Sequence, residues 1–362
     1  MRHFIYRVVC GLLVAPAMGQ SFSSARFNSV PGAPDAGIPG FLGPGGTGLV
    51  HELNVVNPIF TAWGSGYQDY LPTDDVSAAW KDADVLIGPV SGEIFDVVSL
   101  GDLTASQIAA NVPAGRVTAT FGSGISNGGG ADFAIFENSF GTDTSVFAEL
   151  AFVEVSSDGA HFARFDSAST NTAPGALGFV DPRKIHNLAG KHVNAYGQSW
   201  GTPFNLAELA SDPLVAGNVD DLSQIRYVRL IDIPGSGDWK DSQDNAVYDS
   251  WPTSDSGGFD LQAIGVIHLI SPVTNIAGDA TRDGRVNTLD FNVLAGQFGV
   301  SSGATWEQGD FNSDGAVTST DFDLLVGNYG YIAPAGPSAV VPEPSLLGLF
   351  LLGVFVSRRA SR

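Results

Sequence analysis

The chain has 362 residues, of which 38 are acidic and 17 basic, so its formal charge at pH 7 is −21. Phosphate binding needs clustered Lys and Arg, and this charge therefore excludes a nucleic-acid partner. An acidic surface suits an extracellular setting and divalent cations, and the length allows two or three domains.

Residues 1–20 have the pattern of a secretory signal peptide. Two arginines precede a short apolar run, and a small-x-small cleavage site follows at residues 17–19. The apolar run is too short to span a bilayer. Cys10, the single cysteine, lies within this segment. We therefore expect an exported mature chain that has neither a disulfide nor a thiol nucleophile.

The body of the protein is predicted to be a β-sandwich or jelly roll. Residues 21–84 begin with a Gly- and Pro-rich stretch that lacks periodicity, and we expect an irregular segment there. From 85 to 271, short β-type runs alternate with turn clusters. The expected strands are 85–89, 116–121, 132–137, 148–156, 162–165, 225–233 and 259–270, with weak helices at 104–110 and 206–210.

Three segments of this body resemble discoidin-like, galactose-binding-like jelly rolls. They are Val-Ser-Ser-Asp-Gly-Ala-His-Phe at 155–162, Arg-Tyr-Val-Arg-Leu at 226–230, and Gly-Phe-Asp-Leu-Gln-Ala-Ile-Gly-Val at 258–266. With residues 132–138, they also resemble secreted surface proteins that carry PEP-CTERM tails. The resemblance implies that loop tips of the sandwich capture a ligand, often a glycan, although a fold alone does not define a function.

An acidic and aromatic stretch at 238–251 is a candidate ligand-binding loop. Its carboxylates could hold Ca²⁺ or sugar hydroxyls while its rings stack on a sugar face. The alternative is an exposed acidic turn whose rings pack back onto the sandwich. The candidate residues are Asp238, Trp239, Asp241, Asp244, Tyr248, Asp249 and Trp251.

Catalytic motifs are scarce, and no catalytic residue is assigned. The histidines share no metal-ligand spacing, and His186 and His192 lie beside lysines in a segment that we expect to be solvated. Glu137, Glu149 and Glu154 could pair as acid and base, as two carboxylates do in glycoside hydrolysis. A polysaccharide-degrading hydrolase or lyase is therefore the alternative to a binding protein.

One internal repeat stands out near the C-terminus. Residues 279–290 align with residues 310–321, 31 positions later, and each copy has the spacing of a twelve-residue calcium loop. Glycine occupies position 6 of both loops, at 284 and 315, where the sharp turn favours positive φ. Oxygen ligands at positions 1, 3, 5, 7, 9 and 12 predict two Ca²⁺ ions, held by Asp279, Thr281, Asp283, Arg285 (carbonyl), Asn287, Asp290, Asp310, Asn312, Asp314, Ala316 (carbonyl), Thr318 and Asp321.

A short amphipathic helix is predicted after each loop, at 291–299 and 322–330, and no full helix precedes either loop. This loop–helix duplication over 277–330 resembles a dockerin domain. The resemblance implies calcium binding and attachment to a cohesin-type partner, with hydroxyls at loop positions 10 and 11 helping to choose it. The second repeat has Ser319 and Thr320 there, whereas the first has a threonine and a leucine.

The C-terminal tail resembles a PEP-CTERM sorting signal. Pro342, Glu343 and Pro344 follow a linker at 331–340 and precede an apolar run at 346–356 and a basic end. The resemblance implies recognition by an exosortase, removal of the tail after transient inner-membrane anchoring, and delivery to the surface or matrix of a Gram-negative bacterium. A plain C-terminal anchor is the alternative.

These observations predict an exported surface protein that is not an enzyme. Its β-sandwich is expected to bind a glycan or a matrix component, and its dockerin-like module to bind two Ca²⁺ ions and a cohesin-type partner. A polysaccharide-active enzyme and a purely structural matrix protein are the alternatives.

Overall fold

The computed structural model describes residues 22–26, 35–43, 51, 53–173, 178–270, 276–281 and 285–331. The chain divides into two units, Met1–Ile270 and Ser271–Arg362. The predicted signal peptide and the predicted sorting tail, including Pro342, Glu343 and Pro344, lie outside the described residues. Among the helices of the described residues, none is long and apolar enough to cross a membrane.

The first unit is built mainly from short antiparallel strands. The described strands are β1 (Ile38–Pro39), β2 (Phe41–Leu42), β3 (Val55–Val56), β4 (Ala62–Trp63), β5 (Gly66–Leu71), β6 (Val98–Ser99), β7 (Arg116–Ile125), β8 (Phe133–Glu137), β9 (Phe140–Thr142), β10 (Ser145–Phe147), β11 (Leu150–Ser156), β12 (Ala163–Arg164), β13 (Ala168–Ser169), β14 (Ile185–His186), β15 (Trp200–Phe204), β16 (Ile225–Ile233), β17 (Ser236–Lys240), β18 (Ala246–Tyr248) and β19 (Asp260–Val266).

Two sheets dominate the unit. One has the strand order β1-β15-β8-β19-β4, with β6 also paired to β19, and the other has the order β12-β11-β16-β7-β5. The longest ladder joins β11 to β16 in register from Leu150 opposite Ile233 to Ser156 opposite Tyr227. Smaller two-stranded ladders join β2 to β3, β9 to β10, β13 to β14 and β17 to β18. The prediction of a mainly β body is confirmed.

The main core lies between the two large sheets. Phe133 and Leu261 from the first sheet share one buried cluster with Val117, Val153 and Leu230 from the second. Alternation along β16 places Leu230 inside and leaves its neighbours half-buried, as expected for a strand with one face on a core. Each such side chain contributes about 1.5–3 kcal/mol on burial. The unit is therefore a sandwich with a shared apolar interior.

The expected irregular segment at 21–84 needs correction. β5 pairs with β7 in one main sheet, and β4 pairs with β19 in the other. Ser24 and Ala25 are also fully buried. Local sequence does not indicate these strands because they are short and lie at sheet edges, where pairing with a distant strand defines them.

The expected strand at 85–89 is wrong, because a 3₁₀ helix occupies Ala83–Leu86 and the Asp82 carboxylate accepts a hydrogen bond from the backbone of Asp84 at its start. The predicted helix at 104–110 is confirmed as α1 (Ala105–Ala109), which Thr104 and Gln107 cap reciprocally. Further helical segments within the described residues of this unit include α2 (Pro213–Ala216) and 3₁₀ helices at Ala78–Trp80, Pro182–Lys184 and Leu206–Leu209.

The second unit is small and helical, as predicted. It contains α3 (Thr288–Gln297), a 3₁₀ helix at Trp306–Gln308 and α4 (Ser319–Asn328). A separate apolar core includes Leu294 from α3 and Leu325 from α4. Both helices are too short to be stable alone in water, so this packing and the preceding loops hold them.

Candidate functional site

The second repeat is closed by the carboxylate at its last loop position. Asp321 is fully buried. Its Oδ1 accepts hydrogen bonds from the backbone N–H groups of Phe311 (2.9 Å) and Asn312 (3.2 Å). Its Oδ2 accepts one from the backbone N–H of Thr318 (2.9 Å), which also makes Asp321 half of a capping box for α4. One side chain thus joins the start of the loop to the start of the helix.

The other acidic residues of this loop curl the backbone around their oxygens. The Asp310 carboxylate accepts from the N–H groups of Asp314 (3.1 Å) and Gly315 (2.8 Å). The Asp314 carboxylate accepts from the N–H of Ala316 (2.9 Å). Gly315 has φ +84°, the left-handed conformation that a tight loop needs at this position. The loop therefore gathers several oxygen ligands within one short turn.

The first repeat has the same geometry where it is described. Asp290 is fully buried, and its Oδ1 accepts from the N–H of Thr281 (3.0 Å). Its Oδ2 accepts from the N–H of Asn287 (2.9 Å), as its equivalent does in the second loop. Asp279 is also buried, whereas the predicted ligand Asp283 lies outside the described residues.

The two repeats are related by an approximate two-fold arrangement. Val286 donates to the carbonyl of Tyr331 and accepts from Gly330, and Val317 makes the equivalent pair of bonds with Val300 and Gly299. Each repeat therefore holds the chain that leaves the helix of the other repeat, and the two copies form one folding unit.

Two glycines allow this exchange to be tight. A Cβ at Gly278 would lie 2.8 Å from Cα of Leu325, and one at Gly309 would lie 3.0 Å from Cα of Leu294. Both glycines have positive φ, +106° and +101°. The helix of each repeat thus rests directly on the backbone that precedes the loop of the other.

The chemistry of the donors fits Ca²⁺. The ligand positions offer carboxylate, amide and hydroxyl oxygens and backbone carbonyls, which are the ligands of a hard cation, and no sulfur or imidazole that zinc would prefer. Within the described residues, no three His, Cys, Asp or Glu side chains already converge as a metal cluster. Asn, Thr and carbonyl oxygens would therefore have to complete the coordination.

Residues 277–328 match the model of the dockerin type I domain. The C-terminal unit thus contains a dockerin module, a type that binds calcium, docks to cohesin partners and occurs in extracellular proteins. A search of curated proteins finds no match to the chain.

The candidate ligand loop at 238–251 forms the β17–β18 hairpin and the turn that follows it. Asp241 is buried, and its carboxylate accepts from the backbone N–H groups of Ser169 (2.8 Å), Asn245 (2.8 Å) and Gln243 (2.9 Å). Asp249 is also buried and accepts from the N–H of Leu150 (2.8 Å). Both carboxylates therefore stabilise the sandwich and do not face a ligand.

The remaining residues of that loop do not form one site. Asp238 and Asp244 are exposed, and Trp239 packs partly on the core of the sandwich. The ring of Tyr248 lies against Gly237, and the indole N–H of Trp251 donates to the carbonyl of Leu103 (2.8 Å). The rings thus pack back onto the sandwich, as the alternative to a ligand-binding loop predicts. The two exposed carboxylates face solvent.

The three candidate acid–base glutamates also lie in different surroundings. Glu154 pairs with Arg164 (2.7 Å) and with Arg229 (3.5 Å). Glu137 and Glu149 are buried, and burial raises the pKa of both carboxyls well above the ordinary value. The Glu137 carboxylate accepts from the backbone N–H of Ser139. None of these contacts places an acid and a base across an open cleft.

Sequence reasoning missed a cluster of buried carboxyl groups in the sandwich. Burial raises the pKa of Asp260 to about 7 and that of Asp102 to about 6. Within the described residues no member forms an ion pair, and neutral donors such as Ser99, Asn138 and backbone amides hold them. The members are Asp102, Glu137, Glu149, Asp232, Asp249 and Asp260.

The segment around His186 and His192 is not solvated, contrary to expectation. Lys191 and His192 are buried. The Lys191 ammonium donates to Asp35 and to the carbonyl of Ile185. His186 lies between Asp35 (3.6 Å) and Glu208 (3.2 Å). This network ties the chain near residue 35 to the body through side chains about 150 positions away in the sequence, and local sequence patterns do not show such pairs.

Proposed function

We propose that this is an exported surface protein in which a dockerin module, loaded with two Ca²⁺ ions, attaches a β-sandwich body to a cohesin-type partner. The observation that carries the proposal is the duplicated loop geometry. Asp290 and Asp321 make matching bonds in the two repeats, within the stretch that matches the dockerin type I model. Calcium would complete both loops and fix the helices in the form that a partner recognises.

The test is the binding of the full chain to a panel of purified cohesin modules, in calcium and in chelator. We expect at least one module to bind in calcium and to be released by chelator. Asp321→Asn should weaken binding, because it removes the acidic ligand at position 12. Asp74→Asn, at an exposed position of the body, serves as a charge-matched control. Binding that is equally strong in chelator, or absent from every module, would refute the proposal.

For the body, we propose non-catalytic binding of a glycan or matrix polysaccharide. The support is the sandwich fold, which in the galactose-binding-like proteins that the body resembles captures ligands at loop tips, and the exposure of two carboxylates, Asp238 and Asp244, on the β17–β18 hairpin. A glycan array probed with the full chain, with products assayed in the same wells, tests this. We expect retention without products, and weaker retention for D238A/D244A than for Asp74→Ala, an exposed control. Released products would instead support a hydrolase or lyase.

Export and tail removal complete the proposal. They rest on the signal-peptide pattern at 1–20 and on Pro342, Glu343 and Pro344 as an exosortase motif that follows transient anchoring. Mass spectrometry of the surface-released protein should show a new N-terminus near residue 20 and loss of the residues after the motif. Glu343→Ala should retain the tail. An intact tail on the wild-type surface protein would contradict this step.

A further inference from the structure

Four aromatic side chains cluster around the β9–β10 hairpin of the sandwich. Phe140 and Phe147 are cross-strand partners, and their rings stack with 5.0 Å between the centroids. The ring of Phe179 stands nearly perpendicular to both, at 5.9 and 5.8 Å. The ring of Tyr196 stands nearly perpendicular to that of Phe140, at 5.4 Å. We call these four side chains the aromatic platform.

The aromatic platform faces away from the core beneath the hairpin. Val146, next to Phe147 on β10, is fully buried in the apolar cluster on that side. Because successive side chains of a strand point to opposite faces, Phe147 and its partner Phe140 point outward. Their rings and that of Phe179 are half-buried, whereas Tyr196 is 72% exposed. A group of rings left open at one place marks a surface that contacts a ligand or a partner.

Tyr196 is presented by a strained turn. The N–H of Gln198 donates to the carbonyl of Ala195 (3.2 Å), and the two residues between them have positive φ, +53° for Tyr196 and +78° for Gly197. Positive φ at both central positions is the arrangement of a type I′ turn, whose first central position favours Asn, Asp or Gly. A bulky ring there costs stability, and strain of this kind concentrates at functional sites.

The turn is fixed to the start of the hairpin, and the space beside it is open. The carbonyl of Ser139, directly before β9, accepts from the N–H groups of Asn194 (3.0 Å) and Ala195 (3.1 Å). Among the described residues, no atom beyond the chain neighbours lies within 4 Å of a Cβ added at Gly197. The Tyr196 ring is therefore positioned in advance of any ligand, which lowers the entropy cost of binding.

The size and the edge of the aromatic platform indicate what it binds. Its four rings offer about 200–400 Å² of exposed surface, given the exposure of Tyr196 and the partial burial of the others. A stable protein partner covers about 800 Å² on each side. Thr142, Thr144 and Ser145, at the tip of the same hairpin, are exposed and carry hydroxyl groups. This combination suits a sugar, whose C–H face stacks on a ring while its hydroxyls form hydrogen bonds at the edge.

We propose that the aromatic platform binds a neutral β-linked polysaccharide, with one sugar ring stacked on Tyr196, a site that rests on and deepens the glycan binding proposed for the body. Sugars with equatorial hydroxyls, such as β-linked glucose and xylose, present faces of C–H groups to such a ring. The formal charge of −21 disfavours anionic polysaccharides. The β9–β10 and β17–β18 hairpins cover one apolar cluster, through Val146 and Val247.

The experiment measures retention of the full chain on insoluble cellulose and on insoluble xylan, with polygalacturonate beads as the anionic probe. Tyr196→Asn removes the ring and supplies a residue that the turn favours. It should raise the apparent Kd about tenfold and leave the melting temperature of the body unchanged or higher. Tyr196→Phe keeps the ring and should change the Kd less than about threefold. Phe95→Ala, the control, removes a ring that is also 72% exposed and should likewise have little effect.

The other outcomes separate this site from the function proposed for the body. Retention on cellulose or xylan that Y196N leaves unchanged, or that F95A weakens equally, would keep glycan binding and overturn the aromatic platform. Loss of retention together with a lower melting temperature in Y196N would make Tyr196 a structural residue and overturn it too. Retention by polygalacturonate alone would overturn the neutral ligand. If the wild-type chain is retained by no glycan, the proposed glycan binding fails, and this site fails with it.

Sedimentation of the wild type and Y196N tests the remaining occupant, a second copy of the chain. Both proteins should sediment alike, because the aromatic platform is too small to hold a dimer. A wild-type dimer that Y196N dissociates would assign the four rings to self-association and overturn the sugar site.

Discussion

Asp260 gives the sharpest test of the buried carboxyl cluster. Because its pKa in the folded body is about 7, compared with an ordinary value of 3.8, the native state binds a proton that the unfolded chain has lost between these two pH values. Stability from this group is therefore fully present below about pH 4 and disappears as pH rises through 7. This pH dependence of stability is opposite to that of a carboxylate whose pKa a neighbouring cation lowers.

The size of this stability contribution follows from the difference between the pH and the pKa of Asp260 in the folded body. At pH 5 the group lies about two units below it, and at 1.36 kcal/mol per unit its contribution is about 2.7 kcal/mol, falling to nearly zero at pH 8. Substitution Asp260→Asn keeps the side chain neutral at every pH. The difference in unfolding free energy between wild type and D260N should therefore change by about 3 kcal/mol between pH 5 and pH 8, in favour of the variant at high pH.

Denaturant unfolding of the full chain at fixed calcium, followed by tryptophan fluorescence, measures this difference. Comparing the two proteins at each pH cancels the shared groups whose pKa Asp260 does not affect, such as His192, whose pKa burial and the neighbouring Lys191 lower to about 3. Asp74→Asn, at an exposed position, should give a difference that does not depend on pH. A D260N difference that is equally flat would refute the claim that Asp260 is protonated in the folded body.

Three further predictions concern stability. Asp241→Ala should lower the unfolding free energy of the body by about 2–4 kcal/mol, since it leaves several amide donors without an acceptor. Asp238→Ala, at an exposed position, should change it by less than about 0.5 kcal/mol. Equal effects of the two substitutions in thermal unfolding would contradict these roles. Lys191→Met should cost about 3–5 kcal/mol by leaving Asp35 buried without its cation, and a near-neutral result in denaturant unfolding would show that the pair is dispensable. Gly278→Ala should destabilise the dockerin module, because the added Cβ would meet Leu325. Gly327→Ala, which has open space around it, should stabilise α4 by about 0.5–1 kcal/mol. If the calcium-dependent melting temperature of the module moved in the same direction in both variants, the packing at Gly278 would be contradicted.

Secondary-structure elements that depend on the local sequence could be predicted well. The strand expected at 225–233 has those limits in the structure, because its alternation of charged and apolar residues is itself the burial pattern. The helices after the calcium loops are also found, although they begin three residues earlier than expected, at Thr288 and Ser319. The capping boxes made by Asp290 and Asp321 account for the earlier start, since each carboxylate acts both in the loop and at the helix N-terminus.

Features set by distant partners could not be predicted. β5 is a strand because β7 lies beside it, and nothing within 66–71 alone shows that neighbour. The composition of its loop makes Asp241 a candidate ligand-binding residue. In the structure its buried carboxylate accepts a hydrogen bond from the backbone N–H of Ser169, 72 positions away. The carboxyl cluster likewise collects residues from Asp102 to Asp260, whose only trace in the sequence is the excess of acidic residues.

We expect the duplicated loops to form one dockerin module that binds two Ca²⁺ ions. Calorimetric titration of the calcium-free full chain tests it most directly, with Asp290→Asn and Asp321→Asn each disabling one loop and Asp323→Asn as the control. The wild type and the control should each bind two ions, and each loop variant should bind one. A wild-type chain that binds no calcium, or loop variants that bind as the wild type does, would contradict it.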